Sequence, residues 1–218
     1  MASIPIVGKA PRREFHWQAA ELCERAISTG LLVALSPLVA GTALAIGLIS
    51  GRTPFIAHRR VGWRGDVLWM LKLRTMWGDE RGAGELRGWV EYIDDTEGPE
   101  RKAPADSRVS GRFARFCRRH SIDEIPQLWH VMRGEMSLVG PRPVTAGELR
   151  RYYGADAMEV LQQKPGIAGL WQVSGRNRLS YSERLQLDLE LVRKRSFRLY
   201  VQILLRTIPE VLSGRDTC

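Results

Sequence analysis

The sequence predicts a mainly helical α+β domain behind an N-terminal re-entrant membrane helix of the helix-break-helix type. Three observations carry that reading. An uncharged run extends from Ala26 to Gly51 with Pro37 near its centre, apolar and polar residues alternate over 55–76, and helical spacing dominates the remainder. The boundaries follow as an N-terminal interfacial segment over 1–25, a re-entrant helix over 26–51 broken at Ser36-Pro37, and a domain with interfacial helices over 52–218.

The run is too long and too apolar for an ordinary core helix, and Glu14, Glu21 and Glu24 before it do not suit a cleaved signal peptide. Arg12, Arg13 and Arg25 precede it, while Arg52, Arg59, Arg60 and Arg64 follow, so both ends read as cytoplasmic. Pro37 removes a backbone donor, and a Ser36 hydroxyl can serve the carbonyl that this frees. Each arm is then roughly a dozen residues, or about 18 Å, around half a hydrocarbon core.

Further along, 55–76 reads as a β-hairpin about Gly62 and Gly65. Residues 78–110, rich in Gly, Asp, Glu, Pro and Arg, read as an exposed excursion with one helix near Leu86–Tyr92. Helices are expected over about 110–119 and 123–133, the second capped by Ser121 with Glu124 at the capping-box offset. Residues 145–163 look helical, 164–178 look like loop with short extended pieces, and 180–195 are helical again. The last segment, SFRLYVQILLRTIPEVL, has a wide apolar face suited to the core or to a headgroup plane.

With 33 Lys and Arg against 24 Asp and Glu, the net charge of +9 calls for an anionic partner. The cations sit beside acids and prolines rather than along one aromatic-bearing helix, which argues against nucleic acid. Cys23, Cys117 and Cys218 form no CxxC, so a disulfide framework or ribbon-type zinc site is not indicated. Within HSIDEIPQLW, the adjacent acids Asp123 and Glu124 lie amid Arg112, Arg115, Arg118, Arg119, Arg133 and Arg142. Lys72 and Arg74 in KLRTM, Arg142 between two prolines in VGPRP, and Arg176, Asn177 and Arg178 in SGRNR supply further donors. Arginine forks match phosphate oxygens, and carboxylates suit Mg²⁺, so the set points to a membrane enzyme handling phosphates. No Walker-type or dinucleotide glycine loop is present. A basic, membrane-anchored, non-catalytic binding or scaffold protein is the alternative, but it gives no reason for the acid pair.

The ordered motifs KLRTM (72–76), DSRVSGRF (106–113), SIDEIPQLWHVMRGEMSLVGPRP (121–143), KPGIAGLWQVSGRN (164–177) and LQLDLELV (185–192) resemble the bacterial sugar transferase family. These are small monotopic polyprenyl-phosphate phosphoglycosyl transferases, and the similarity covers about residues 22–212. The resemblance implies transfer of sugar-1-phosphate from a nucleoside diphosphate sugar (a UDP-sugar) to undecaprenyl phosphate. The nucleoside monophosphate is released, as a first membrane step of glycan or exopolysaccharide biosynthesis. It implies Asp123 as nucleophile, Glu124 as Mg²⁺ ligand, and substrate binding by Lys72, Arg74, Arg112, Arg142, Gln172, Arg176 and Asn177. It implies a monotopic protein of the bacterial inner membrane with its catalytic domain on the cytoplasmic face. Nearby arginines are expected to keep Asp123 ionised. The oligomeric state, homodimer included, stays open. The sequence departs from the family at His120, where a neutral hydroxyl residue is usual, and at Tyr200-Val201, where an aspartate commonly stands.

Overall fold

The computed structural model describes residues 15–76, 88–96, 111–175 and 179–213. The uncharged run is the larger part of one 36-residue helix, α1 (Phe15–Ser50). It begins at Phe15 rather than Ala26, so 15–25 are continuous in one helix with the uncharged run. Trp17–Ser50 is long and apolar enough to cross a membrane, with mean hydropathy 2.2 in its most apolar window. Pro37 lies inside the helix without ending it. Proline offers no N–H to the carbonyl four residues back, which is that of Val33. Ser36 Oγ donates to this same carbonyl at 2.8 Å. The break expected at Ser36-Pro37 therefore takes the form of one exchanged hydrogen bond within a continuous helix.

Both ends of α1 pack on the rest of the protein. Near one end, Glu24 Oε1 accepts from Ser137 Oγ at 2.6 Å and Tyr200 Oη at 2.6 Å, and Arg25 Nε donates to the Met132 carbonyl at 2.8 Å. Near the other, Ala43 and Ile46 are buried with Leu73, against Phe55, Phe113 and Ile122. Between them Leu31, Val33 and Leu38 are exposed.

The hairpin forms as expected. β1 (Phe55–Val61) and β2 (Val67–Leu73) pair antiparallel from Phe55↔Leu73 to Val61↔Val67. Arg64 (φ 57°) and Gly65 (φ 85°) take up the reversal in the left-handed region. The helix expected near Leu86–Tyr92 is not formed where the chain is described: β3 (Val90–Ile93) runs parallel to β1, giving the order β2-β1-β3. VEYI has β-branched and aromatic residues, and its one acid, Glu91, with Asp94 and Asp95 just beyond it, meets cations on β1 and just past β2. Arg74 pairs with Glu91, Arg59 with Asp94 at 2.8 Å, and Arg60 with Asp95 at 2.7 Å. The remainder of the 81–105 excursion lies outside the described residues.

Next, α2 (Arg112–Arg119) runs into a 3-10 turn, Ile122–Gln127, before α3 (Leu128–Arg133). The capping box expected at Ser121 and Glu124 is absent. Ser121 is left-handed (φ 54°), its N–H donates to the Arg118 carbonyl at 3.1 Å, and the Glu124 carboxylate turns to Lys72. The box instead forms at Thr145 and Glu148 on α4 (Ala146–Glu148), and at Ser180 and Glu183. The helical stretch expected over 145–163 is interrupted by a π-helical turn, Leu149–Tyr153, and a 3-10 turn before α5 (Ala157–Val160). There Tyr153 is drawn into the core and Gly154 adopts φ 47°.

Two short strands, β4 (Ser137–Val139) and β5 (Gly166–Ala168), pair in parallel. The latter falls in the expected loop, and α6 (Leu170–Ser174) is helical where loop was expected. α7 (Tyr181–Arg193) and α8 (Phe197–Ser213) complete the described chain. One core cluster joins the α4–α5 region to α7 through Val144, Leu149, Tyr153, Leu161 and Leu189. A second joins β4, β5, α6, α7 and α8 through Val139, Ala168, Leu170, Leu191 and Ile203.

The serine-for-proline exchange has a direct test. Ser36→Ala orphans the Val33 carbonyl and should destabilise the protein by about 1 kcal/mol. In a Pro37→Leu background, leucine supplies the missing N–H, and the same substitution should cost close to nothing. Thermal unfolding of the four proteins in detergent reads the difference.

Candidate active site

The turn Ile122–Gln127 sets the acid pair on the end of β2. A 3-10 turn has about three residues per turn, so neighbouring side chains diverge by about 120°. Asp123 is accordingly buried, 7% exposed, while Glu124 reaches a partly open side. Lys72 Nζ, on β2, meets Glu124 Oε1 at 2.6 Å.

The two acids are pushed apart in acidity. Burial, reinforced by the Glu124 charge, raises Asp123 to about 6 despite opposition from Lys72 and Arg118. Desolvation thus exceeds the attraction of the cations, so Asp123 is ionised at neutral pH but holds its proton to a higher pH than an ordinary carboxyl. Burial also acts to raise Glu124, but the charge and hydrogen bond of Lys72, then Arg142 and Arg118, outweigh it and leave Glu124 below its ordinary value. At neutral pH both are carboxylates, with Asp123 the more basic.

Arg142 is presented by a tight backbone contact. Gly140 N donates to the Ala168 carbonyl and Gly166 N to the Pro141 carbonyl, each at 2.9 Å. A Cβ built on Gly166 would lie 2.0 Å from Gly140 N, so only glycine permits this approach. The VGPRP and KPGIAG motifs are therefore two halves of one device. Behind it, on α7, Asp188 Oδ1 accepts from Arg142 N at 3.4 Å and Oδ2 from Tyr153 Oη at 2.9 Å. Burial lifts Asp188 to about 7 against these hydrogen bonds and the Arg142 charge.

The expected site residues divide. Lys72, Asp123 and Glu124 come together, with Arg142 close enough for its charge to act on Glu124. Arg74 is buried with its donors on the Thr53 carbonyl, at 2.8 Å, and on Glu91, which makes it part of the strand scaffold. Arg112 is exposed at the start of α2, and Arg118 is the α2 cation whose charge reaches both acids. Gln172 Nε2, on α6, donates to the Ile167 carbonyl of β5 at 3.3 Å. Arg176 and Asn177 lie outside the described residues. Sequence reasoning missed Arg118 and Asp188. The first is hidden in a run of similar cations; the second was signalled by a lone acid in the apolar run LQLDLELV.

Among the described residues no three or more His, Cys, Asp or Glu side chains come together as a metal site. Mg²⁺ commonly takes one or two carboxylates and completes its shell with water and substrate phosphate, and Asp123-Glu124 fits that donor set.

A helical domain on a long apolar helix, with an acid pair beside a lysine and a rigidly presented arginine, defines a membrane-associated enzyme class acting on anionic groups. The pattern of the Bacterial sugar transferase family matches residues 15–214, and the chain belongs to that family. Exopolysaccharide production protein ExoY of Rhizobium meliloti is 37% identical over 98% of this chain and 90% of its own length. The UDP-galactose-lipid carrier transferase of Erwinia amylovora is 40% identical over 84% of this chain and 39% of its own length. For undecaprenyl-phosphate galactose phosphotransferase of Salmonella typhimurium the figures are 37%, 74% and 34%. The chain therefore spans less than half the length of the last two.

The raised pKa of Asp188 makes stability depend on pH. Its folded value exceeds the ordinary carboxylate value, so its contribution is fully present below that value and is lost as pH rises to about 7. Asp188→Asn keeps an acceptor for Tyr153 without a charge to bury. Its melting temperature, measured between pH 5 and 8, should fall less with rising pH than that of the unaltered protein.

Proposed function

We propose that the protein transfers sugar-1-phosphate from a nucleoside diphosphate sugar, a UDP-sugar, to undecaprenyl phosphate, through a covalent aspartyl intermediate. The carrying observation is the division of labour in the acid pair: a buried, more basic Asp123 next to a Glu124 held by Lys72. The activities for which the Erwinia and Salmonella relatives are named support the substrate class.

In the first half, an Asp123 carboxylate oxygen attacks the sugar-bearing phosphorus. The bond from that phosphorus to the bridging oxygen breaks, and the nucleoside monophosphate departs with the electron pair. In the second half, an oxygen of undecaprenyl phosphate attacks the same phosphorus and Asp123 leaves as carboxylate. A carboxylate suits both halves, being ionised near neutrality and a fair leaving group from phosphorus. Lys72 and Arg142 offset charge that builds on the phosphoryl oxygens. Glu124 would hold Mg²⁺ together with the substrate diphosphate, and the ion would neutralise phosphate charge.

We further read α1 as re-entrant, with the protein monotopic on the cytoplasmic face of the bacterial inner membrane. A straight 36-residue helix would be about 54 Å long, against about 30 Å of hydrocarbon. Both of its ends pack on the same domain, and Pro37 lies in its exposed middle.

Two experiments test this reading. Enzyme mixed with labelled UDP-sugar from a panel, without lipid, should release monophosphate in a burst and retain about one sugar-phosphate per active site. Asp123→Asn should do neither, EDTA should abolish release, and the burst rate should fall as pH drops below about 6, where Asp123 protonates. Monophosphate that appears only with lipid would point to direct attack by the lipid phosphate. For topology, single cysteines replacing Arg13 and Arg60 in a cysteine-free background should both resist an impermeant thiol reagent applied to intact cells. Labelling of only one would mean a spanning helix.

A further inference from the structure

Beside the acid pair, Arg142 opens into a small cleft lined also by Val144, Glu148, Tyr153, Tyr181 and Arg184. The guanidinium carbons of Arg142 and Arg184 lie 5.6 and 5.0 Å from the centre of the Trp171 ring, and Arg184 lies 5.4 Å from that of Tyr181. Two cations are thus gathered on one indole, and Arg184 is only 6% exposed. Burial, then the charge of Arg142, pushes Arg184 below the usual guanidinium value.

The polar atoms around these cations are unfinished. Trp171 Nε1 and Tyr181 Oη are buried without a hydrogen-bond partner among the described residues. Trp171 is itself 8% exposed. An indole N–H can only donate, and the phenol can donate as well. Among the described residues the acids closest to Arg142 are Glu148, whose Oε1 stands 3.9 Å away and is buried without a hydrogen bond, and Asp188, which burial raises to about 7 and leaves only part-ionised at neutral pH, so two full guanidinium charges face less than two carboxylate charges. Two guanidinium forks, an indole N–H and a phenol O–H call for one ligand with several acceptor oxygens and negative charge. A phosphate group has both; a sugar or a base supplies no charge.

We propose that Arg142, Arg184, Tyr181 and Trp171 form a second phosphate subsite beside the acid pair, holding the phosphate that Asp123 does not attack. The inference rests on the transferase reading for its substrates. Both bring such a group: the nucleoside-bearing phosphate of the nucleotide sugar, and the phosphate of the lipid acceptor.

Inorganic pyrophosphate is the probe, titrated calorimetrically into the full chain in detergent. Saturable binding should weaken at least about tenfold in Arg184→Gln and severalfold in Tyr181→Phe, with Arg184→Lys between them and the unaltered protein. Tyr181→Phe removes a single hydroxyl and carries the test if Arg184→Gln does not fold. In the transfer assay, a raised KM for the nucleotide sugar assigns the subsite to the leaving phosphate, and a raised KM for undecaprenyl phosphate assigns it to the acceptor. Unchanged pyrophosphate affinity, or no saturable binding to the unaltered protein, overturns the subsite. Normal transfer with both KM values unchanged in Tyr181→Phe and Arg184→Lys does so while leaving the transferase reading intact. Loss of pyrophosphate binding in a protein that turns over no nucleotide sugar has the opposite meaning: the subsite stands and the transferase reading falls.

Discussion

Two carboxylates on adjacent residues, one of them buried, repel each other and resist desolvation, and much of the structure serves to hold them there. The nearest compensation is Lys72, whose ammonium is 2.6 Å from Glu124. A lysine on an edge strand would be a loose partner, but β2 is pinned on both sides of it. His130 Nε2 accepts the outward Leu71 N–H at 3.1 Å, which leaves Nδ1 to carry the proton and donate to Glu135 at 2.6 Å. On the other side, Arg74 is anchored on Thr53 and Glu91, and its N–H donates to the Pro54 carbonyl at 2.8 Å. This protects the exposed edge of the sheet and aims the lysine.

The same constraint explains the place of the membrane helix. Ile122, directly before the acid pair, packs against Ala43, Ile46 and Leu73, so one end of α1 forms the floor under the turn that carries the pair. The other end is fastened by Glu24 to β4, the strand that leads into Gly140-Pro141-Arg142. Tyr200 donates to that same Glu24 oxygen, so the departure from the family pattern at this position makes a bond between α8 and α1. His120, the other departure, joins its Nδ1 to the Val211 carbonyl at 3.1 Å and ties the far end of α8 to the chain just before the acid pair. Membrane attachment and site geometry thus share the same contacts.

Much was legible in the sequence because local chemistry leaves local marks. An uncharged run, a Ser-Pro pair, alternation about two glycines, and an acid pair among arginines each report a backbone or charge requirement met within a few residues. These give the membrane helix, the hairpin, the helical class, and Asp123, Glu124, Lys72 and Arg142 as candidates. What the sequence could not decide depends on partners far along the chain. VEYI becomes a strand because Arg74 awaits its Glu91, and Arg59 and Arg60 await Asp94 and Asp95 just beyond it, and Glu124 abandons a capping box for Lys72, 52 residues away. Whether an arginine serves substrate or scaffold, as with Arg142 and Arg74, and whether a carboxyl is raised or lowered, as with Asp123 and Glu124, is set by burial and by which charges surround it. Both are properties of the packed chain, because desolvation and Coulomb energies follow distance in space and not separation in sequence.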